Sequence, residues 1–341
     1  MVNAPAFWGQ NLSVFGGEVM VNGKKTATLF VVLSFVLVMP WALAEKSAIQ
    51  VVTSVAPITN IVENIGGRHI VVRGIVPEGV NSHTFEPAPS DVKYLSEADL
   101  IIMNGLHLEL PTIKLANKVK KQTTTIIQLG DLSIPQQAWK FDFSFPAEDG
   151  HPNPHLWPNI ALAMRYAELT RDVFIKLDPE HKTQYEKNTV NYLAKLSQLD
   201  AAIFQCVQSI PEANRKLVTY HDSYAYFAPR YGMTVVGAIQ PSDFAEPTPK
   251  EVIRIIKQLR RENIPAVFGS EVFPSKTLSQ IAKEAGAKYV DELSDDDLPG
   301  DKDAPEHTFL GMMKQNMVVM AKSLGGDPGC VSHIDVTDLV N

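Results

Sequence analysis

Beyond residue 48 the chain alternates between short, continuously apolar runs and longer stretches with helical spacing. The runs are IQVVTSV (49–55), HIVVRGIV (69–76), ADLIIMN (98–104) and TTIIQL (124–129) in the first half. KLVTY (216–220), TVVGAI (234–239), PAVFGS (265–270) and AKYVDE (287–292) follow in the second. Such runs do not alternate with polar residues, so they predict strands covered on both faces, as in parallel sheets with helical crossovers. Four per half predict an α/β protein of two similar lobes, each a four-stranded, mainly parallel sheet flanked by helices. Between the halves lies PEHKTQYEKNTVNYLAKLSQLDAAIFQCVQSIP (179–211), opened by Pro179 and closed by Pro211. Leu193, Leu196, Leu199 or Ala202, and Ile203 recur there at helical spacing with no internal glycine or proline. A helix of about 29 residues is roughly 43 Å long, more than one lobe needs. It is read as a rigid connector, residues 179–211, between a lobe at 45–178 and a lobe at 212–341.

The N-terminus departs from this pattern. Lys24 and Lys25 precede the apolar stretch LFVVLSFVLVMPWALA (29–44), which ends in Ala42-Leu43-Ala44. A basic segment, a short apolar core and an A-x-A ending predict a secretory signal peptide at 1–44, cleaved after Ala44 into the periplasm. As a membrane anchor the stretch only borders on spanning length, and Pro40 interrupts it. MVNGKKTATLF from Met20 is itself a normal signal start, so residues 1–19 are expected to be a start-site artefact. The two cysteines, Cys206 and Cys330, lie far from the cleavage site; lipid anchoring is therefore not supported, and an exported pair is expected to form a disulfide. Hydrophobic residues make up 45% and charged ones 20% of 341, the balance of a globular protein with a full core. A net charge of −7 without a long basic run excludes nucleic acid as an expected partner.

Three histidines occupy similar settings. His83 lies in NSHTFEPAPSD after the second predicted strand; His155 lies in HPNPHLWPN ahead of a helical stretch; His221 follows KLVTY directly. Asp291 ends the run AKYV, and the intervals between the four are 72, 66 and 70 residues. Open α/β sheets form ligand crevices beyond the carboxyl ends of their strands, so two groups from each lobe are placed to meet across a cleft. Three imidazoles and a carboxylate suit Zn²⁺ in a closed tetrahedron, with Mn²⁺ the second possibility because it favours more oxygen. Prolines around His83 and His155 would hold both loops in place before an ion arrives. Glu292 and Asp295 stand close enough to Asp291 to replace it; Asp291 is preferred because it follows the strand directly. Binding is expected to weaken in acid, since imidazole ligates only when neutral.

With these residues in view, NSHTFEPAPSDVKYLSEADLIIMNGLHLE (81–109), NPHLW (153–157), TYHDSYAYFAPRYG (219–232), EPTPKEV (246–252) and FGSEVFPSKTLSQIAKEAGAKYVDEL (268–293) resemble the metal-specific solute-binding proteins of ABC importers. The resemblance runs in order over nearly all of 49–323. It implies His83, His155, His221 and Asp291 as ligands, a transported zinc or manganese ion, and a membrane permease with its ATPase as partners. Histidine at the third position, where manganese-linked members often have glutamate, supports zinc. The resemblance further implies that Glu109, Glu246 and Glu271 orient ligand imidazoles. Tyr224, Tyr226 and Phe227 are expected to pack behind a ligand loop, and His107 at a strand end. The segment 140–155 departs from the long histidine-rich loop of many zinc-specific members: besides His155 it holds only His151, which is read as a solvated loop residue. The acidic run 291–307 is likewise read as a solvated loop. The expectation is thus a monomeric binding protein rather than an enzyme. A zinc hydrolase would keep an open coordination position, and no HExxH helix is present. A metal chaperone or adhesin on the same scaffold is the other alternative.

Overall fold

The computed structural model describes residues 48–240, 245–270 and 276–339; the expected signal segment and its cleavage point lie outside them. The first lobe is built on β1 (Ile49–Thr53), β2 (Ile70–Gly74), β3 (Leu100–Met103) and β4 (Thr125–Gln128), ordered β2-β1-β3-β4. The second repeats that order with β5 (Lys216–Thr219), β6 (Thr234–Ala238), β7 (Ala266–Phe268) and β8 (Lys288–Val290), as β6-β5-β7-β8. Every pairing is parallel. The apolar runs account for this: Leu100, Ile101, Ile102 and Met103 of β3 are all fully buried, which requires cover on both faces.

That cover comes from helices on both sides. In the first lobe they are α1 (Ala56–Gly66), α2 (Asp91–Glu97), α3 (Leu110–Val119), α4 (Leu129–Ser133) and α5 (Ile160–Leu177). After the connector α6 (Lys182–Ser209), the second lobe adds α7 (Phe227–Tyr231), α8 (Pro249–Arg261), α9 (Lys276–Ala285) and α10 (Phe309–Leu324). The sequence EPTPKE starts α8 with a capping box: Thr248 and Glu251 satisfy each other's backbone N–H groups, and Pro249 occupies the first turn. Among the described residues no helix is long and apolar enough to cross a membrane.

The connector is the long helix its spacing predicts. It runs for 28 residues behind a 3-10 turn at Pro179–His181, about 42 Å at 1.5 Å per residue. Tyr185, Tyr192, Leu196, Leu199, Ile203 and Cys206 form its buried face, which packs on α1 and α5 of the first lobe and α10 of the second. One continuous apolar core therefore runs through both lobes, and a smaller one lies between the second sheet and α8–α9. Cys206 of α6 and Cys330, in the turn after α10, form a disulfide with Cα atoms 5.4 Å apart. The chain end then returns to the first lobe, where Asp338 accepts hydrogen bonds from Asn60 and Asn64 of α1 at 2.9 and 2.7 Å.

Candidate metal centre

His83, His155 and His221 converge, their nearest ring nitrogens all within 4.8 Å of one another. His83 lies in the loop after β2, where its backbone N–H donates to Asn81 Oδ1 at 2.9 Å and tightens the turn. His221 stands two residues beyond β5 and is buried. His155, fully buried, is carried by the long loop between α4 and α5. Its Nε2 is 3.2 Å from Nε2 of His83 and 3.3 Å from Nε2 of His221. Two nitrogens bound to one tetrahedral ion at 2.0–2.1 Å are separated by about 3.3 Å, so the three rings already stand at ligand spacing.

The side of His155 facing away from the others fixes its tautomer. Nδ1 lies 2.9 Å from Asn153 Oδ1. The Asn153 amide NH₂ is committed elsewhere, donating to Asp142 Oδ2 at 2.8 Å and to the Asp222 carbonyl at 2.7 Å. Oδ1 is therefore the acceptor and Nδ1–H the donor, which leaves the Nε2 lone pair facing the other imidazoles. Burial, then the neighbouring imidazoles, hold His83 and His155 well below the ordinary histidine range. Burial likewise lowers His221 to about 3, against a side-chain hydrogen bond with Gln240. All three rings are neutral across the ordinary pH range, as ligation demands. Phe145, also buried, lies against all three, with ring centroids 5.4, 5.8 and 5.5 Å from those of His83, His155 and His221.

The carboxylate beside the histidines is Asp295, not Asp291. Asp291, the expected ligand, and Glu292 are exposed where the chain leaves β8. The loop turns inward at Leu293, which joins the core, and at Ser294, whose N–H donates to Asn316 Oδ1 at 2.9 Å and whose carbonyl accepts from Asn316 Nδ2 at 2.6 Å. That clamp to α10 brings Asp295 Oδ2 to 3.9 Å from His155 Nε2. Ser223 Oγ donates a short hydrogen bond to the same oxygen, and Trp157 Nε1 donates to the Asp295 carbonyl at 2.7 Å. Burial, reinforced by Asp296, raises the Asp295 carboxyl to about 7, despite the Ser223 hydrogen bond.

The other singled-out residues fall around this centre. Glu109 is buried but accepts from the backbone N–H of Asn104 and Gly105 at 2.9 and 3.0 Å and from Ser54 Oγ, so it ties the ends of β1 and β3 together. It is linked to the His155 loop through Asn104, whose Nδ2 donates to the Pro154 carbonyl at 2.9 Å. Glu246 accepts from the hydroxyl of Tyr220, next to His221, at 3.2 Å. Glu271 lies outside the described residues. Tyr224, Tyr226 and Phe227 are buried behind the His221 loop, as expected. His107 and His151 are not among the converging imidazoles. Sequence reading missed Asn153, Ser223 and Phe145. Their types carry no metal signal, and only their nearness to His155 and His221 in the chain marked Asn153 and Ser223.

Residues 51–323 match the family described as zinc-uptake complex component A, periplasmic (ZnuA). The iron-binding protein YfeA of Yersinia pestis is 30% identical over 88% of this chain and 96% of its own. The manganese ABC transporter substrate-binding lipoprotein PsaA of Streptococcus pneumoniae is 29% identical over 88% of this chain and 99% of its own. The solved structure of the periplasmic zinc binding protein TroA from Treponema pallidum superposes with a TM-score of 0.74 at 26% identity, covering 82% of this chain and 99% of that one. With two matching lobes, a long connecting helix and three converging imidazoles, the chain belongs to the ZnuA family of periplasmic metal-binding solute-binding proteins of ABC importers.

Proposed function

We propose that the protein binds Zn²⁺ through Nε2 of His83, His155 and His221 and a carboxylate oxygen of Asp295, and hands the ion to an ABC permease driven by its ATPase. The observation that carries this reading is the 3.2 and 3.3 Å spacing of the three Nε2 atoms about His155. Three neutral nitrogens with one carboxylate favour zinc over manganese, which takes more oxygen. Four protein donors close the tetrahedron and leave no position for a reacting water, which argues for carriage over hydrolysis. The reading includes export, cleavage after Ala44 and action as a monomer.

Competitive Zn²⁺/Mn²⁺ titration of the purified mature protein tests it. Zinc is expected to outcompete manganese. Alanine at His83, His155, His221 or Asp295 is expected to weaken zinc binding sharply, whereas D291A binds like the wild type. Tighter manganese binding would transfer the cargo assignment to manganese, and undiminished zinc binding in the histidine variants would refute the site.

A further inference from the structure

The three imidazoles share a fourth ring. Their centroids lie 5.0, 4.6 and 4.8 Å from one another, and the centroid of Phe145 lies 5.4, 5.8 and 5.5 Å from those of His83, His155 and His221. A point nearly equidistant from three corners lies over the middle of their triangle, so Phe145 covers the imidazole cluster rather than packing beside one histidine. Of the three phenylalanines in KFDFSFP (140–146), Phe141 and Phe143 are exposed and Phe145 alone is turned in, at 7% exposure. The backbone fixes it there. The Asp142 N–H donates to the Phe145 carbonyl at 2.9 Å, and Asp142 Oδ1 accepts from the N–H groups of Ser144 and Phe145 at 3.1 and 3.3 Å, closing a tight turn. The second lobe holds the same turn: Ser144 Oγ accepts from the Asp222 N–H at 3.3 Å, and the Lys140 N–H donates to the Tyr226 hydroxyl at 2.9 Å. A cavity of about 190 Å³ adjoins the ring, lined by Phe145 and, of the three histidines, by His83 alone; it reaches the exposed Asp149 and His151. Phe145 therefore stands between solvent and the cluster.

We infer that Phe145 is the residue that selects the ion: its ring keeps water out of the ion's shell, confines the ion to donors the protein supplies, and so favours Zn²⁺ over Mn²⁺. This rests on the function proposed above. Three nitrogens and the Asp295 carboxylate complete a tetrahedron for Zn²⁺. Mn²⁺ favours a larger shell, mostly of oxygen, and the donors missing here would have to be waters drawn from the cavity. A buried water is held by about three hydrogen bonds, and an apolar ring offers it neither those nor room. Phe145 contributes no donor of its own. It acts by exclusion, against the ion that needs more ligands rather than for the ion that needs fewer, in the way an apolar shell controls solvent access to a metal. Its removal is therefore expected to change the coordination number of the ion and the preference between ions, not merely the strength of binding.

The test uses Co²⁺ as a spectroscopic probe, together with competitive Zn²⁺/Mn²⁺ titration, on the wild type, F145A and F145L. Tetrahedral Co²⁺ absorbs strongly in the visible, and Co²⁺ with added water ligands absorbs weakly. The wild type is expected to give the strong tetrahedral bands. F145A, folded as judged by circular dichroism, should lose them, and its ratio of zinc to manganese affinity should fall by about tenfold, the lower end of what residues around a metal site contribute. F145L, bulky and apolar, should restore both the bands and the ratio. Tetrahedral bands and a wild-type ratio in F145A overturn the inference and leave the proposed function intact; so does an equal loss of zinc and manganese affinity with the bands retained, which is what a ring that only packs would give. The wild type supplies a readout that needs no variant: weak bands in its Co²⁺ form show that water already enters the shell and overturn the inference. A wild type that binds manganese more tightly than zinc overturns the proposed function, and the selection by Phe145 with it.

Discussion

Asn153 decides what His155 can do. Its amide is locked by Asp142 and the Asp222 carbonyl, so its oxygen can only accept, and His155 must keep its proton on Nδ1. Removing such a partner of a ligand typically costs 10- to 100-fold in metal affinity. N153A is therefore expected to weaken zinc binding by about 10- to 100-fold while far-ultraviolet circular dichroism stays unchanged; full affinity in this variant would deny the orienting role. With Asp295 as the proposed fourth ligand, its carboxyl governs the pH dependence. The sequence alone suggests that imidazole protonation weakens binding in acid, but burial keeps all three rings neutral well below the ordinary histidine range. The competing proton is instead the one on Asp295, whose carboxyl lies near 7 in the ion-free protein. Below that pH the ion must displace this proton, and affinity falls about tenfold per unit; above it the dependence flattens. Calorimetry at pH 6 in buffers of different ionisation enthalpy should find close to one proton released per zinc, and none released would exclude Asp295 as the ligand.

At the scale of elements, the connector and the disulfide act together. α6 is buried along one face by helices of both lobes, and Cys206 near its C-terminal end is bonded to Cys330 beyond α10. The bridge closes a loop spanning 124 residues, for which chain entropy gives roughly 4–5 kcal/mol and removal of native bridges costs about 2–5 kcal/mol. C206S/C330S is expected to unfold at lower denaturant concentration by about that amount. Its zinc affinity should be nearly unchanged, because α6 ends where β5 begins and the histidines gather at the opposite, carboxyl end of the strands. Equal denaturation midpoints would show that the bridge contributes nothing to stability.

For the whole molecule, the shared core limits what an ion can change. A hinge needs two bodies with few contacts between them, whereas here one apolar cluster runs through both lobes and the chain end is fastened to α1. Loading is expected to alter loops and leave the lobes in place. Small-angle scattering should show the same radius of gyration with and without zinc, while hydrogen exchange slows in the loops around His83, Phe145 and Asp295. A contraction of several ångströms on loading would require wide opening and contradict the shared core.

The local pattern alone was enough to specify the strands, the connector and the three histidines. Leu100–Met103 has no polar residue to offer solvent, so it must be a strand covered twice over, and the interval from Pro179 to Pro211 contains nothing that breaks a helix. The histidines could be read because each follows or precedes an element whose end is marked by sequence. The carboxylate could not. Asp291 and Asp295 differ by four residues in an irregular loop, and which of them turns inward depends on Asn316 of α10, a partner more than twenty residues away. The placing of Asn153 and Phe145 is likewise a matter of which loops meet. Residue type and periodicity fix structure where interactions are local and repeated. Where single contacts between distant loops decide, only the folded chain does.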